Sequence, residues 1–198
     1  MNGAQSLSIL FVCSGNICRS PMAEGLMRHD LNVRGIESDV SSVGTLEVSS
    51  GADPFAVQIL AEQGIDISGH RSRMMTEKDL AGVDLVIGMA PEHVRAVALL
   101  DPSVFARTFT LREIVRRAQA SGGPTASEPV WQWGTRLSAD RRFADLLGDA
   151  PADSIADPIG RPLAFFRGVA DQIAELTSAL AVTMAARRLS GGDSSLVD

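Results

Sequence analysis

The sequence predicts an α/β fold: a single domain whose four-stranded parallel sheet carries helices on both faces. Three observations carry that reading. Segments of strand character recur at Leu10-Phe11-Val12, Ser38 to Gly44, Val83 to Met89 and Phe105 to Leu111, the first and third of them apolar and partly β-branched. Segments of helical length and pattern separate them with short links, so successive strands need right-handed crossovers and pair in parallel. The chain has 198 residues, 45% of them hydrophobic, enough to fill one such core.

Taken in order, residues 1–6 read as a loose tail. The first strand passes through a tight loop into an amphipathic helix from about Ser20 to Val33, which Gly35 ends. Ser38 to Gly44, reading SDVSSVG, is the second strand. Asp53-Pro54 opens the helix PFAVQILAEQG, with Asp53 as its cap and Gly64 as its stop. Ile65 to Arg73 leads to a short helix near Thr76 to Leu80. Arg71 and Arg73 are read as solvated surface arginines, with anion steering as the alternative. Val83 to Met89, VDLVIGM, is almost continuously apolar and is assigned a central place in the sheet. A helix from Pro91 to about Leu100 precedes the fourth strand, Phe105 to Leu111. Another, Leu111 to Ala120, carries Arg112, Arg116 and Arg117 on its wetter side. The final helix runs roughly from Pro162 to Leu189. Its stripe of Phe166, Val169, Ile173, Leu176, Leu180 and Met184 suits packing on the sheet.

Residues 121–153 break this rhythm. SGGPTASEPV is a flexible Gly/Pro/Ser stretch, followed by WQWG and a helix-like RLSADRRFADLLG. Two readings stand open for Trp131 and Trp133: a wall of a substrate cleft, or aromatics pinning a long loop to the surface. The domain is accordingly expected to span 1–189 with an insertion at about 121–153, and 190–198 to form a disordered polar tail.

Charge and composition narrow the function. A net charge of -6 argues against nucleic acid as a partner, since phosphate backbones need a basic face. The chain's two cysteines, Cys13 and Cys18, indicate a reducing compartment and no disulfide scaffold. No basic leader with an apolar core precedes the first strand, and no apolar stretch approaches the roughly 20 residues that span a bilayer. The expectation is a cytoplasmic protein with no membrane association.

The chemistry sits in Leu7 to Glu24, LSILFVCSGNICRSPMAE. Cys13 lies at the start of a loop that Arg19 closes, and Gly15 and Asn16 permit unusual backbone dihedrals between them. A loop curled this way, formed by Ser14, Gly15, Asn16, Ile17, Cys18 and Arg19, turns its N–H groups inward as an anion nest at a helix N-terminus. A phosphate monoester repels nucleophiles with its own negative oxygens. Inward amides and a bidentate Arg19 neutralise those oxygens, while Cys13, favoured as thiolate by the same groups, attacks in line. Ser20 is placed to donate a hydrogen bond to that thiolate, and Pro21 suits a first helical turn. A metal centre is a poor reading, because two cysteines and His29, His70 and His93 give no second ligand pair. A Walker-type loop lacks its Gly-Lys-Ser/Thr, and no dinucleotide glycine pattern occurs.

VCSGNICRSPMAE resembles the signature of the low-molecular-weight protein tyrosine phosphatases. The resemblance runs from Leu7 to about Arg188 apart from the insertion, and implies a flavodoxin-like fold. It implies a protein-tyrosine phosphatase working through phosphocysteine with no metal or organic cofactor, a phosphorylated protein as substrate, and inorganic phosphate as product and inhibitor. It further implies that Ser42 and His70 hydrogen-bond with Asn16 and hold the loop in shape. Asp157-Pro158 matches the family's general-acid loop. There Asp157 would give a proton to the leaving oxygen and then serve as base toward water. Asp149 and Asp153 compete with it in sequence, and no spacing rule pairs any of them with Cys13.

Two departures bear on substrate. The family often grips a phenyl ring with aromatics after the Asp-Pro pair and a tryptophan after the second strand. This chain has Ile159-Gly160 and a Leu46 to Ala52 loop without aromatics, and contains no tyrosine. Such stacking is worth only about 0.5–1.5 kcal/mol beyond burial, so phosphotyrosine remains the first expectation, bound more weakly. Relatives with threonine where Ile17 stands favour phosphoarginine, which ranks second. A thioredoxin-coupled arsenate reductase would need distal cysteines, which are absent. A phosphate-binding module without catalysis would have no need of Cys13, Arg19 and Asp157 together. Redox sensing through a Cys13–Cys18 disulfide is compatible with catalysis, and a buried supporting thiol is the alternative for Cys18.

Overall fold

A computed structural model describes residues 6–146 and 151–189. Of the expected tails at 1–6 and 190–198, residues 1–5 and 190–198 lie outside the described residues, as does Asp149. The chain forms one four-stranded, all-parallel sheet in the order β2-β1-β3-β4, from β1 (Leu7–Cys13), β2 (Ser38–Gly44), β3 (Leu85–Gly88) and β4 (Thr108–Thr110). Helices α1 (Arg19–Val33), α2 (Pro54–Ala61), α3 (Glu77–Leu80), α4 (Pro91–Leu100), α5 (Leu111–Ser121), α6 (Val130–Leu137) and α7 (Leu163–Leu189) complete it.

Alternation along β1 explains the layers. Ile9, Phe11 and Cys13 turn to one face with Leu85, Ile87 and Phe109, and α1, α5 and α7 bury their apolar sides there. Leu10 and Val12 turn to the other with Val43 and Val86, against Leu80 of α3 and Val97 of α4. The stripe of α7 is buried at Phe166, Val169, Ile173, Leu180 and Met184, while Leu176 is half-buried. Because β1 continues to β2 on one side and the chain later returns as β3 on the other, the loops after β1 and β3 diverge at the switch point. That crevice is where such sheets bind ligands.

The fourth strand is shorter than expected. Asp101 caps the following turn through Ser103 N (2.9 Å), Pro102–Arg107 winds as a 3-10 helix containing Phe105, and pairing is limited to Thr108–Thr110. Of the three arginines of α5 only Arg116 is exposed, whereas Arg112 and Arg117 are half-buried. The larger difference lies in the stretch after α5, where WQWG is itself helical within α6 while the described residues of RLSADRRFADLLG supply the end of α6, a turn and a 3-10 turn at Phe143–Leu146. Trp133 is a core residue whose indole N–H donates to Gly122 O at 3.0 Å, so it pins this segment down. Trp131 faces solvent.

Candidate active site

The loop between β1 and α1 takes its shape from Asn16. This residue lies at φ 52, and among the described residues no other non-glycine has positive φ. Gly15 does not share that conformation, contrary to expectation. A left-handed residue costs about 1–2 kcal/mol, less for asparagine, and the surroundings offset it with hydrogen bonds worth about 0.5–1.5 kcal/mol each. Asn16 Nδ2 donates to Ser20 Oγ (3.0 Å) and Ser42 Oγ (2.8 Å), and its Oδ1 accepts from Arg73 N (3.1 Å). His70 Nε2 lies 2.7 Å from Asn16 O. Behind Ser42 stands Glu24, which accepts the Ser42 hydroxyl at 2.6 Å and pairs with Arg28. Close approach fixes one more position. A side chain on Gly44 would place its Cβ 2.7 Å from Ser14 O, so β2 passes the loop only with glycine there.

These bonds converge on sulfur. Ser20 Oγ already accepts from Asn16, so its own proton is free for Cys13 Sγ at 3.0 Å, and Asn16 N–H donates to the same sulfur at 3.2 Å. Two donors on one buried sulfur suit a thiolate. Cys18 is the opposite case. Burial, with the charges of Asp53, Asp157 and Cys13 adding, pushes its thiol up to about 12 against a smaller pull from Arg19. A thiol held protonated in this way is a weak nucleophile, which fits the reading of Cys18 as a buried supporting thiol.

Arg19 is 5% exposed and bridges two distant parts of the chain. Its Nη1 donates to Ile155 O (3.1 Å), and its Nη2 lies 2.5 Å from Asp157 Oδ2. The segment bearing Asp157 is latched to the sheet, because Ile155 N donates to Met89 O (2.8 Å) and Met89 N to Val12 O (2.9 Å). Asp157 Oδ1 in turn accepts from Ile159 N at 3.1 Å, which sets the carboxylate's orientation. Asp153, its competitor in sequence, instead pairs with Arg116. Of the surface arginines, Arg73 pairs with Asp79, and Arg71 donates to His70 O at 2.7 Å.

The structure thus gathers Ser42, His70 and Asp157 around the loop of Cys13, Ser14, Gly15, Asn16, Ile17, Cys18, Arg19 and Ser20 at the switch point. Two residues were missed from sequence. Glu24 was given no role there, and His93 was one of three scattered histidines. Yet His93 is buried with Nε2 3.1 Å from Ser14 Oγ. Its place in the first turn after the central strand, beside the switch point, was the available signal. Among the described residues no group of three or more His, Cys, Asp or Glu could hold a metal ion, and no helix is long and apolar enough to cross a membrane.

An anion cradle between a central strand and a helix, with a hydrogen-bonded cysteine at its base and a guanidinium closing it, belongs to the cysteine-dependent phosphatases. The chain is a member of the low molecular weight phosphotyrosine protein phosphatase family, whose model matches residues 8–123. It is 39% identical over 107 residues to a probable low molecular weight protein-tyrosine-phosphatase, EpsP, of Ralstonia solanacearum, covering 54% of this chain and 72% of that one. A protein-arginine-phosphatase of Bacillus subtilis is 37% identical over 110 residues, 55% of this chain and 73% of its own length. The crystal structure of a low molecular weight protein tyrosine phosphatase from T. tengcongensis matches with TM-score 0.69 at 30% identity, over 90% of this chain and 100% of that one. The family model ends before Asp157, so that residue is joined to the site by the fold.

Proposed function

We propose that this phosphatase removes phosphate from protein side chains, phosphotyrosine first, with Cys13 as nucleophile, Arg19 and the 14–19 loop as phosphate clamp, and Asp157 as general acid and base. The observation that carries the reading is the 2.5 Å contact of Asp157 with Arg19, which holds a carboxyl group at the mouth of the loop where Cys13 sulfur receives two hydrogen bonds. In the first step the Cys13 thiolate forms an S–P bond, the bond from phosphorus to the leaving oxygen breaks, and that oxygen takes the Asp157 proton. In the second, Asp157 carboxylate takes a proton from water, the water oxygen bonds to phosphorus and the S–P bond breaks. Thiolate and inorganic phosphate are released, and free phosphate competes for the same loop. Ser20 steadies the sulfur in both steps. Asn16, with Ser42 and His70 behind it, keeps the loop from relaxing. The reaction needs Cys13 reduced, which suits the cytoplasm. We assign the phosphatase domain to 1–189, with 121–153 inserted in it.

Phosphoarginine is the second reading. Two exposed aliphatic side chains stand beside the loop: Leu46, whose N–H donates to Ser14 O (2.9 Å), and Ile159, whose N–H donates to Asp157. Neither of these side chains stacks on a phenyl ring, and both accept an alkyl guanidinium equally well.

The test is steady-state hydrolysis of p-nitrophenyl phosphate, a phosphotyrosine peptide and a phosphoarginine protein by wild type and Cys13→Ser. The expected outcome is turnover of the tyrosine substrate by wild type. Cys13→Ser should show no turnover while still binding phosphate. Preference for phosphoarginine selects the second reading, and residual turnover by Cys13→Ser removes Cys13 as nucleophile.

A further inference from the structure

His93 is not part of the machinery described so far, yet it is built into the phosphate loop. It is the third residue of α4, 1% exposed, with Nε2 3.1 Å from Ser14 Oγ and Nδ1 buried without a hydrogen-bond partner among the described residues. Room is made for it. A Cβ on Gly88, the last residue of β3, would stand 3.0 Å from His93 Cβ and 3.2 Å from Ala90 O, so any larger residue there would press on His93 and the turn before it. Burial, with the charge of Arg19 adding and Asp157 opposing, holds the ring at about 4, so it is neutral at working pH. A neutral imidazole carries one N–H. In the first turn of a helix the exposed amides make the potential positive, which favours a lone pair over an N–H on Nδ1. Arg19 acts with the same sign. The proton therefore belongs on Nε2, facing Ser14.

We propose that His93 is a positioning residue of the phosphate site: Nε2–H donates to Ser14 Oγ, which commits the Ser14 hydroxyl proton to a phosphate oxygen. This rests on the reading of the 14–19 loop as the phosphate clamp. Ser14 is half-buried and its carbonyl is already taken by Leu46 N–H, so the hydroxyl is the group left to orient. Without His93 the hydroxyl can turn away and must be reoriented for each substrate. With it, the donor is aimed before phosphate arrives, and a preoriented donor costs no reorganisation during reaction.

The two nitrogens can be separated by substitution. The side-chain amide of His93→Gln reaches about as far as Nε2, that of His93→Asn only as far as Nδ1, and His93→Phe keeps the ring without either nitrogen. Inorganic phosphate binding is measured by calorimetry in a Cys13→Ser background, and kcat/KM in the otherwise native chain. Phosphate affinity and kcat/KM are expected to fall roughly tenfold in His93→Phe and His93→Asn, the loss of about one hydrogen bond to a charged group. His93→Gln should stay within about threefold of wild type, and Ser14→Ala should fall as far as His93→Phe, with the double variant no lower. Additive losses, or a His93→Gln as weak as His93→Asn, would overturn the proposal. Should His93→Phe not fold, His93→Gln and His93→Asn, each with and without Ser14→Ala, decide alone. Failure of the phosphatase reading looks different: wild type would hydrolyse no phosphate ester, while the calorimetric comparison still reports on His93.

Discussion

In the proposed mechanism the phosphate loop at 13–20 and the acid segment at 151–161 do two halves of one reaction, and the two are built in opposite ways. In the loop, Cys13, Asn16, Arg19 and Ser20 are all buried, and Asn16 alone is tied to Ser20, Ser42, His70 and Arg73. The acid segment has no such framework. Ile155 is buried and latched to Met89, but Asp157 is 44% exposed and reaches the site through one ion pair with Arg19. The difference follows from the chemistry. A nucleophile and its oxyanion donors must hold their geometry throughout, whereas a group that gives and then takes a proton has to meet leaving group and water in turn.

Asp157→Ala tests that division with the largest expected effect. The slowing should be about 10²- to 10⁴-fold for alkyl or peptide phosphotyrosine esters with poor leaving groups, and much smaller for p-nitrophenyl phosphate, whose leaving oxygen needs little protonation. Burst kinetics separate the steps. Equal losses with good and poor leaving groups would mean that the acid lies elsewhere and the segment only covers the site.

Arg19→Lys sharpens the comparison by cutting both halves at once. The charge is kept, but the planar fork that reaches Ile155 O and Asp157 together is lost. A fall of roughly 10²- to 10³-fold in kcat/KM is expected. Because Asp157 leans on Arg19, the double variant Arg19→Lys/Asp157→Ala should lose clearly less than the product of the single losses. A multiplicative loss in a double-variant cycle would show that the 2.5 Å pair is not used in turnover.

The same contrast governs what the sequence could reveal. The loop was legible because its chemistry is consecutive: thiol, small residues, guanidinium, hydroxyl and proline follow one another between a strand and a helix. Ser42 and His70 were reachable only through the family resemblance, since each is an ordinary residue by local rules. Asp157 has a Pro158 turn beside it, as many loop aspartates do, and what sets it apart is the contact with Arg19, 138 residues away in the chain. For α6 the signal was present: Val130, Trp133, Gly134 and Leu137 are buried at helical spacing, but the preceding Gly/Pro-rich stretch obscured where the helix begins. The shortening of β4 was written in Asp101-Pro102-Ser103, a turn signal lying just ahead of the apolar run.

Arg116→Ala gives the smallest expected effect and discriminates most finely between latch and tether. Arg116 reaches Asp153 from α5 and holds the start of the acid segment, but its side chain is 58% exposed. Exposed pairs contribute about 0–1 kcal/mol, which for a domain of this size shifts Tm by no more than about 4 °C. If the buried latch of Ile155 on Met89 and Arg19 positions the carboxylate, kcat should fall less than about threefold, near the scale of that exposed contact. If kcat instead falls toward the level of Asp157→Ala while Tm is unchanged, the acid is positioned from α5. The segment after α5 would then help to set the rate of the first step.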